Sequence, residues 1–226
     1  YINEGEQALL RERLKCLTRP DEHVGEQGEY KIRSLYFDNY WSGAYQDKVE
    51  GVNNRVKYRI RIYNDSDKTI NLERKMKQGN YIHKDSASLT RDQCEAILRG
   101  EYGFLLRHPE QLAREFYYEC TTNLMRPRVI VDYDREPLTL DAGTVRVTFD
   151  KRLRAAMLGF DLFDPLLPTL SASPPGKTIL EVKFTEFLPT VIRQALPPGS
   201  GELTAISKFI MCCDAVGYMI PAGSRG

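Results

Sequence analysis

The order of apolar and polar positions already divides this chain into helices and strands. Residues 3–17 place Ala8, Leu9, Leu10, Leu14 and Leu17 at helical spacing, with Asn3 as the N-cap. Tyr30 to Asp38 alternates and is rich in β-formers, so it predicts a strand. Two more strands are expected over 53–63 and 69–77, joined by the turn-forming Asn64-Asp65-Ser66-Asp67. Gly79-Asn80 makes a second turn, leading into a strand over 81–89.

Thr90 opens a helix that Gly100 closes, with Asp92 or Gln93 completing the cap. Pro109 suits a first helical turn, so a helix is expected from there through about Leu124. Strands return over 127–136, 144–150 and 177–186, and a last helix covers about 203–217. Residues 155–176, ending in Ser171-Ala172-Ser173-Pro174-Pro175-Gly176, form a loop excursion, because the strand pattern resumes directly after them. Parallel βαβ alternation is missing. The expected fold is therefore α+β: one domain over residues 1–226, with a large antiparallel sheet or barrel and flanking helices.

The strand at 55–62 changes the picture from fold to chemistry. In Arg55-Val56-Lys57-Tyr58-Arg59-Ile60-Arg61-Ile62 every odd position is a cation and every even one is apolar. Alternate residues share a strand face, so four positive charges form one row roughly 20 Å long. A merely solvated face usually mixes signs, and this run holds no acid. The polar faces of later strands add Glu73, Lys75 and Lys77, then Lys84, Arg135, Arg146, Glu181 and Lys183. If such faces converge they form a basic cleft or tunnel containing one or two carboxylates. A polyanion would make that arrangement tolerable, each cation–phosphate pair being worth up to ~4 kcal/mol before desolvation.

Composition narrows the partner. Among 226 residues, 32 Lys and Arg face 31 Asp and Glu, a formal net charge of +1. Such balance argues against a general nucleic-acid binder, whose domain would be clearly basic. The cysteines Cys16, Cys94, Cys120, Cys212 and Cys213 form no CxxC spacing and read as free thiols of a reducing compartment. No stretch approaches a membrane span and no signal peptide opens the chain, so a cytoplasmic location is expected. Pro175-Gly176-Lys177-Thr178 resembles the end of a P-loop but lacks the earlier glycine and the following helix. His23, His83 and His108 are scattered and form no zinc set.

The residues carrying the cationic faces also carry a family resemblance. Ser34-Leu35-Tyr36-Phe37-Asp38-Asn39, the run from Lys57 to Tyr63, and Leu72-Glu73-Arg74-Lys75 with Lys84 resemble the VTC domain, most closely its bacterial members. So do Val131-Asp132-Tyr133-Asp134-Arg135, Val145 to Asp150, Leu180-Glu181-Val182-Lys183 with Phe187-Leu188-Pro189, and Ser207-Lys208-Phe209, all in the family's order. That family belongs to the triphosphate tunnel metalloenzymes, whose antiparallel β-barrel encloses a basic tunnel. Its catalytic members make inorganic polyphosphate from ATP with a divalent metal, often manganese.

The resemblance makes Arg59, Arg61, Lys75, Lys84, Arg135, Arg146 and Lys208 phosphate ligands with catalytic roles. It makes Glu181 the metal ligand, for Mn²⁺ or Mg²⁺. Lys57, Lys183 and Ser207 follow as further substrate contacts, and Glu73 as a second metal candidate, from strand geometry or adjacency. The family also carries a tunnel lysine directly before the position of Tyr1. The expected activity is ATP-dependent polyphosphate synthesis, with tripolyphosphate hydrolysis and non-catalytic polyphosphate sensing as alternatives. Expected partners are ATP, triphosphate or polyphosphate. No nucleic acid is expected, and a membrane-protein partner outside this chain would place the domain at the inner face of the membrane.

Overall fold

A computed structural model describes residues 1–21, 24–25, 28–79, 81–156, 159–196 and 204–217. His23 and Asn80, both singled out above, lie outside the described residues. The chain divides into two compact units. The first comprises residues 1–31, 133–153 and 171–206, and the second comprises 32–132, 154–170 and 207–226.

The first unit opens with strand β1 (Ile2–Asn3) and helix α1 (Glu4–Lys15). Asn3 caps α1 as its sequence predicts: its side chain accepts from the Glu6 N–H, and the Glu6 carboxylate accepts from the Asn3 N–H. A two-residue strand, β2 (Arg19–Pro20), pairs with β7 (Arg126–Leu140), which contributes residues to both units. After β8 (Val145–Ala156), β10 (Lys177–Lys183) pairs antiparallel with it and β1 pairs with β10. A short helix, α5 (Thr190–Ala195), follows. Ile2, Leu10, Leu14, Val145, Val147, Phe149 and Ile192 make this unit's core.

In the second unit, β3 (Tyr30–Asp38), β4 (Arg55–Tyr63), β5 (Ser66–Gln78) and β6 (Tyr81–Leu89) form an antiparallel meander. Three longer helices accompany it: α3 (Arg91–Arg99), α4 (Gln111–Thr122) and α6 (Lys208–Ala215). The core gathers Leu35, Phe37, Tyr58, Ile60, Ile62, Ile70 and Leu72 from the strands with Cys94, Ile97, Ala113 and Phe116 from the helices. Thr90 and Gln93 form the predicted capping box of α3, and Gly100 closes that helix at φ 84°. This is the expected α+β architecture, an antiparallel sheet with flanking helices.

Several boundaries shift, each for a local reason. Pro109 stands before α4, with Glu110 as its N-cap, so the proline is outside the first turn. The 3-10 turn Gly103–Arg107 and the His108 Nε2 contact to the Ser88 carbonyl hold the chain there. The turn joining β4 to β5 is tighter than expected: Asn64 and Asp65 take φ of 51° and 53°, and pairing resumes at Ser66. Strand β8 continues to Ala156 through Arg152 at φ 51°, and β9 (Thr169–Ser171) pairs with it, so the excursion is partly sheet. Helix α6 begins only at Lys208, because Ser207 stays extended and caps it. Its expected start, residue 203, lies outside the described residues.

Two helices were not expected from the pattern, α5 and one that follows β3. Helix α2 (Gly43–Val49) has no buried residue, so no apolar periodicity marks it. Its N-terminus is held instead by Asp38, which is buried and accepts N–H bonds from Asn39, Ala44 and Tyr45.

The turn from β7 to β8 depends on Gly143, at φ 71°. A Cβ at that position would collide with the Phe187 carbonyl oxygen and press on Pro189. Gly143→Ala is expected to cost about 2 kcal/mol or more, since positive φ and a backbone clash coincide. Denaturant unfolding of the variant tests this.

Candidate functional site

Strand register decides which charges meet. In β4 the apolar row Tyr58, Ile60 and Ile62 is buried in the second unit's core. Lys57, Arg59 and Arg61 therefore occupy the opposite face, as the alternation predicts. Directly across from Lys57 on β5 stands Lys75, and directly across from Lys75 on β6 stands Lys84. Three lysines thus form one cross-strand row, at roughly 4.8 Å per strand. Arg55 likewise faces Lys77, and like charges directly opposite are destabilising. Arg55 turns back to its own loop, donating to the Val52 carbonyl at 2.8 Å.

The neighbouring row holds the acid. Arg59 faces Glu73 on one side and Tyr36 on the other. Glu73 is buried, and its Oε2 takes Arg59 Nε at 2.6 Å while its Oε1 lies 3.0 Å from Lys84 Nζ. Arg61 Nη1 is 3.9 Å from the same carboxylate and Arg61 Nε donates to Ser34 Oγ at 3.1 Å. Burial alone would raise the Glu73 pKa, but Arg59, Arg61 and Lys84 outweigh it and hold it down to about 2.

Helix α6 completes this group. Ser207 Oγ accepts from Lys57 Nζ at 3.1 Å, while also capping the helix from which Lys208 projects at the first position. Lys57 Nζ also sits 4.8 Å from the Phe209 ring centroid. Burial, with Lys48, Arg55 and Lys75 nearby, lowers the Lys57 ammonium to about 8, although Tyr36 opposes the shift. A helix N-terminus with lysines beside it favours an anion.

The remaining candidates belong to the first unit. Arg146 on β8 faces Lys183 on β10, again like against like, and Thr148 faces Glu181. Arg146 Nη2 donates to Tyr30 Oη at 2.9 Å and lies 3.0 Å from Asp21. Arg135 forms a two-pronged pair with Asp150 at 2.7 and 2.8 Å, and its Nη2 is 3.8 Å from Glu181 Oε2. Burial disfavours the charge of Arg135, yet Tyr133, Asp150 and Glu181 raise its pKa overall. Lys183 Nζ lies 3.2 Å from Glu181 Oε1. Asp150 and Ser34 were missed as partners of site cations. Each had a signal, since Asp150 shares a face with Arg146 and Ser34 sits in a quoted motif.

Thr148 carries an orphan group: among the described residues its buried Oγ1 has no hydrogen-bond partner. Thr148→Val keeps the shape and removes that unmet demand, so a gain of about 1 kcal/mol in unfolding free energy is expected. A loss would mean that the hydroxyl is satisfied in solution.

The two carboxylates differ in burial: each has both oxygens near cations, but the Glu73 side chain is buried and that of Glu181 is 38% exposed. Among the described residues no group of three or more His, Cys, Asp or Glu could cage an ion. A hard divalent cation therefore fits Glu181 only where a bound phosphate and water supply its other oxygens. The P-loop-like Gly176-Lys177-Thr178 leads into β10, a strand, as its rejection required. All five cysteines are free thiols.

In each unit, then, cations stand opposed across neighbouring antiparallel strands. The VTC domain model matches residues 2–216, and the chain belongs to that family. No curated protein matches it in sequence.

Three solved structures with a similar chain path are distant in sequence. A Bacillus halodurans protein designated a candidate adenylate cyclase is 12% identical, with 68% of this chain and 70% of that one covered at TM-score 0.43. A Hippeastrum candidate adenylyl cyclase with a dominant triphosphatase activity is 13% identical, covering 67% and 68% at TM-score 0.45. A Pyrococcus horikoshii protein is 11% identical, covering 84% and 78% at TM-score 0.39. Among the described residues no helix is long and apolar enough to cross a membrane.

Proposed function

We propose that this chain synthesises inorganic polyphosphate from ATP, binding the phosphates on its cationic strand faces. The observation that carries the reading is the cross-strand row Lys57, Lys75 and Lys84, with Arg59 and Arg61 in the rows beside it. Opposed lysines cost stability in the absence of an anion. A chain of phosphates, with a charge on each unit, offsets that cost along the whole row.

In this reading Arg59, Arg61, Lys75, Lys84 and Lys208 bind phosphate oxygens in the second unit, with Lys57 and Ser207 supporting them. Arg135, Arg146 and Lys183 do so in the first. Arginine binds two oxygens with its fork, and lysine acts as a point charge. A divalent ion, Mn²⁺ or Mg²⁺, held by Glu181 and phosphate oxygens would neutralise charge on the transferring group. A terminal oxygen of the acceptor phosphate attacks the γ-phosphorus in line. The new P–O bond forms as the bond to the β-phosphate oxygen breaks, and ADP leaves. The chain supplies position and electrostatics, so no side-chain nucleophile is required.

Incubation with ATP and Mn²⁺, using a chain that carries the family's lysine before Tyr1, tests the proposal. Long-chain polyphosphate is the expected product. Free phosphate alone would reassign the chain as a hydrolase, a tripolyphosphatase if it also cleaves tripolyphosphate, and binding without turnover would make it a sensor.

A further inference from the structure

Two aromatic rings in the second unit touch the cations without belonging to the set described above. Tyr36 lies on β3 directly opposite Arg59, and its Oη accepts from Arg59 Nη1 at 2.8 Å. The Tyr36 ring stacks on Phe209 of α6, with centroids 5.1 Å apart and planes 27° from parallel. Lys57 Nζ lies 4.8 Å from the Phe209 centroid, and the Arg59 guanidinium lies 5.6 Å from that of Tyr36. Both rings are buried. Two cations of β4 are thus each held by an aromatic face, and the two faces are joined to one another.

We propose that Tyr36 and Phe209 are positioning residues that fix Lys57 and Arg59 for phosphate and couple that grip to the docking of α6. The inference rests on the phosphate-binding reading and deepens it. Arg59 has Nε and Nη2 on Glu73 and Nη1 on Tyr36, so its plane is set from both sides. Lys57 is set by Phe209 and by Ser207 Oγ, both from the start of α6. Lys208 lies between them in the chain, so whatever seats the Phe209 ring also seats the first turn that presents Lys208.

The aromatic faces also explain how an ammonium persists among like charges. Lys57 meets Lys75 across the strand and has Lys48 and Arg55 nearby, with the Tyr36 phenol as the countering group. A ring face attracts a cation without supplying a carboxylate that would compete with phosphate. Lys57 remains available to an anion in a way that a salt-bridged lysine would not.

The test is tripolyphosphate affinity by calorimetry from pH 6 to 10, for wild type, Tyr36→Phe, Phe209→Leu, Phe209→Tyr and Lys57→Met. Wild type is expected to bind at pH 7 and to weaken above about pH 8, where Lys57 loses its charge. Phe209→Leu is expected to weaken binding at pH 7 about tenfold and to flatten the decline above pH 8, as Lys57→Met does. Phe209→Tyr keeps the ring and should restore both features. Tyr36→Phe keeps the stack and loses one hydrogen bond to Arg59, so a loss of about three- to tenfold with the pH profile intact is expected.

If Phe209→Leu lowers only thermal stability and leaves affinity and pH profile as in wild type, while Lys57→Met weakens binding, the positioning role is overturned. No tripolyphosphate binding by wild type would instead overturn the phosphate reading itself.

Discussion

Glu181→Gln is expected to reduce ATP turnover with Mn²⁺ by at least about a hundredfold while changing tripolyphosphate affinity by less than about threefold. Glutamine keeps the side chain's length and one oxygen, so it holds the shape and loses the charge that a divalent ion needs. Binding is spread over many cations and barely registers one carboxylate. The local ion pairs point the same way: Glu181 lies 3.2 Å from Lys183 and 3.8 Å from Arg135, on a partly exposed strand. The exposed Lys183 pair contributes little to stability and Arg135 keeps its two-pronged pair with Asp150, so folding should be nearly unchanged. Turnover and affinity are measured side by side. Wild-type turnover in the variant would move the metal to another carboxylate.

Glu73→Gln should behave in the opposite manner. Glu73 is buried and neutralises Arg59, Arg61 and Lys84, so its loss leaves those cations facing one another. The ligand-free chain is expected to lose about 3 kcal/mol, toward the low end for breaking a buried pair because Lys84 is half exposed. Tripolyphosphate affinity should rise, since the carboxylate no longer competes for Arg59 and Lys84. Unfolding with and without tripolyphosphate separates the two effects: the variant starts lower and gains more from the ligand. A Glu73→Gln chain that binds normally but cannot turn over ATP would make Glu73 the metal ligand.

The pH dependence follows from the same carboxylate. The Glu73 pKa is lowered in the folded chain to about 2, from its ordinary 4.5. Its contribution to stability is therefore fully present above about pH 4.5 and is lost as the pH falls toward 2. Acid unfolding of Glu73→Gln should lack that component. Lys57 has the same sign in a higher window: its folded pKa lies below its ordinary value, so the fold gains stability as the pH rises from about 8.

Local chemistry made much of this protein legible from its residues. The alternation from Arg55 to Ile62 set a cationic face against an apolar one, because side chains in a strand point to opposite sides. The Asn3 and Thr90 caps and the Gly100 stop are local signals, and the structure contains each of them. The order of motifs was enough for family membership. Helix α2 escaped because its stabilising contacts are backbone N–H groups donating to Asp38 rather than a buried stripe.

What the chain order could not supply was register and depth. Lys57, Lys75 and Lys84 are far apart in sequence pattern and become one row only through antiparallel pairing. A shift of one residue would have put Lys75 on the apolar side. Glu73 and Glu181 look alike in sequence, each an acid beside a lysine-bearing strand face. Tertiary structure separated them, burying Glu73 among three cations and leaving Glu181 partly exposed. The Tyr36–Phe209 stack likewise joins residues from opposite ends of the second unit's sequence. Periodicity reports which face a side chain takes; only packing decides which other chain segment meets it there, and so which charges are neutralised and which are left for a ligand.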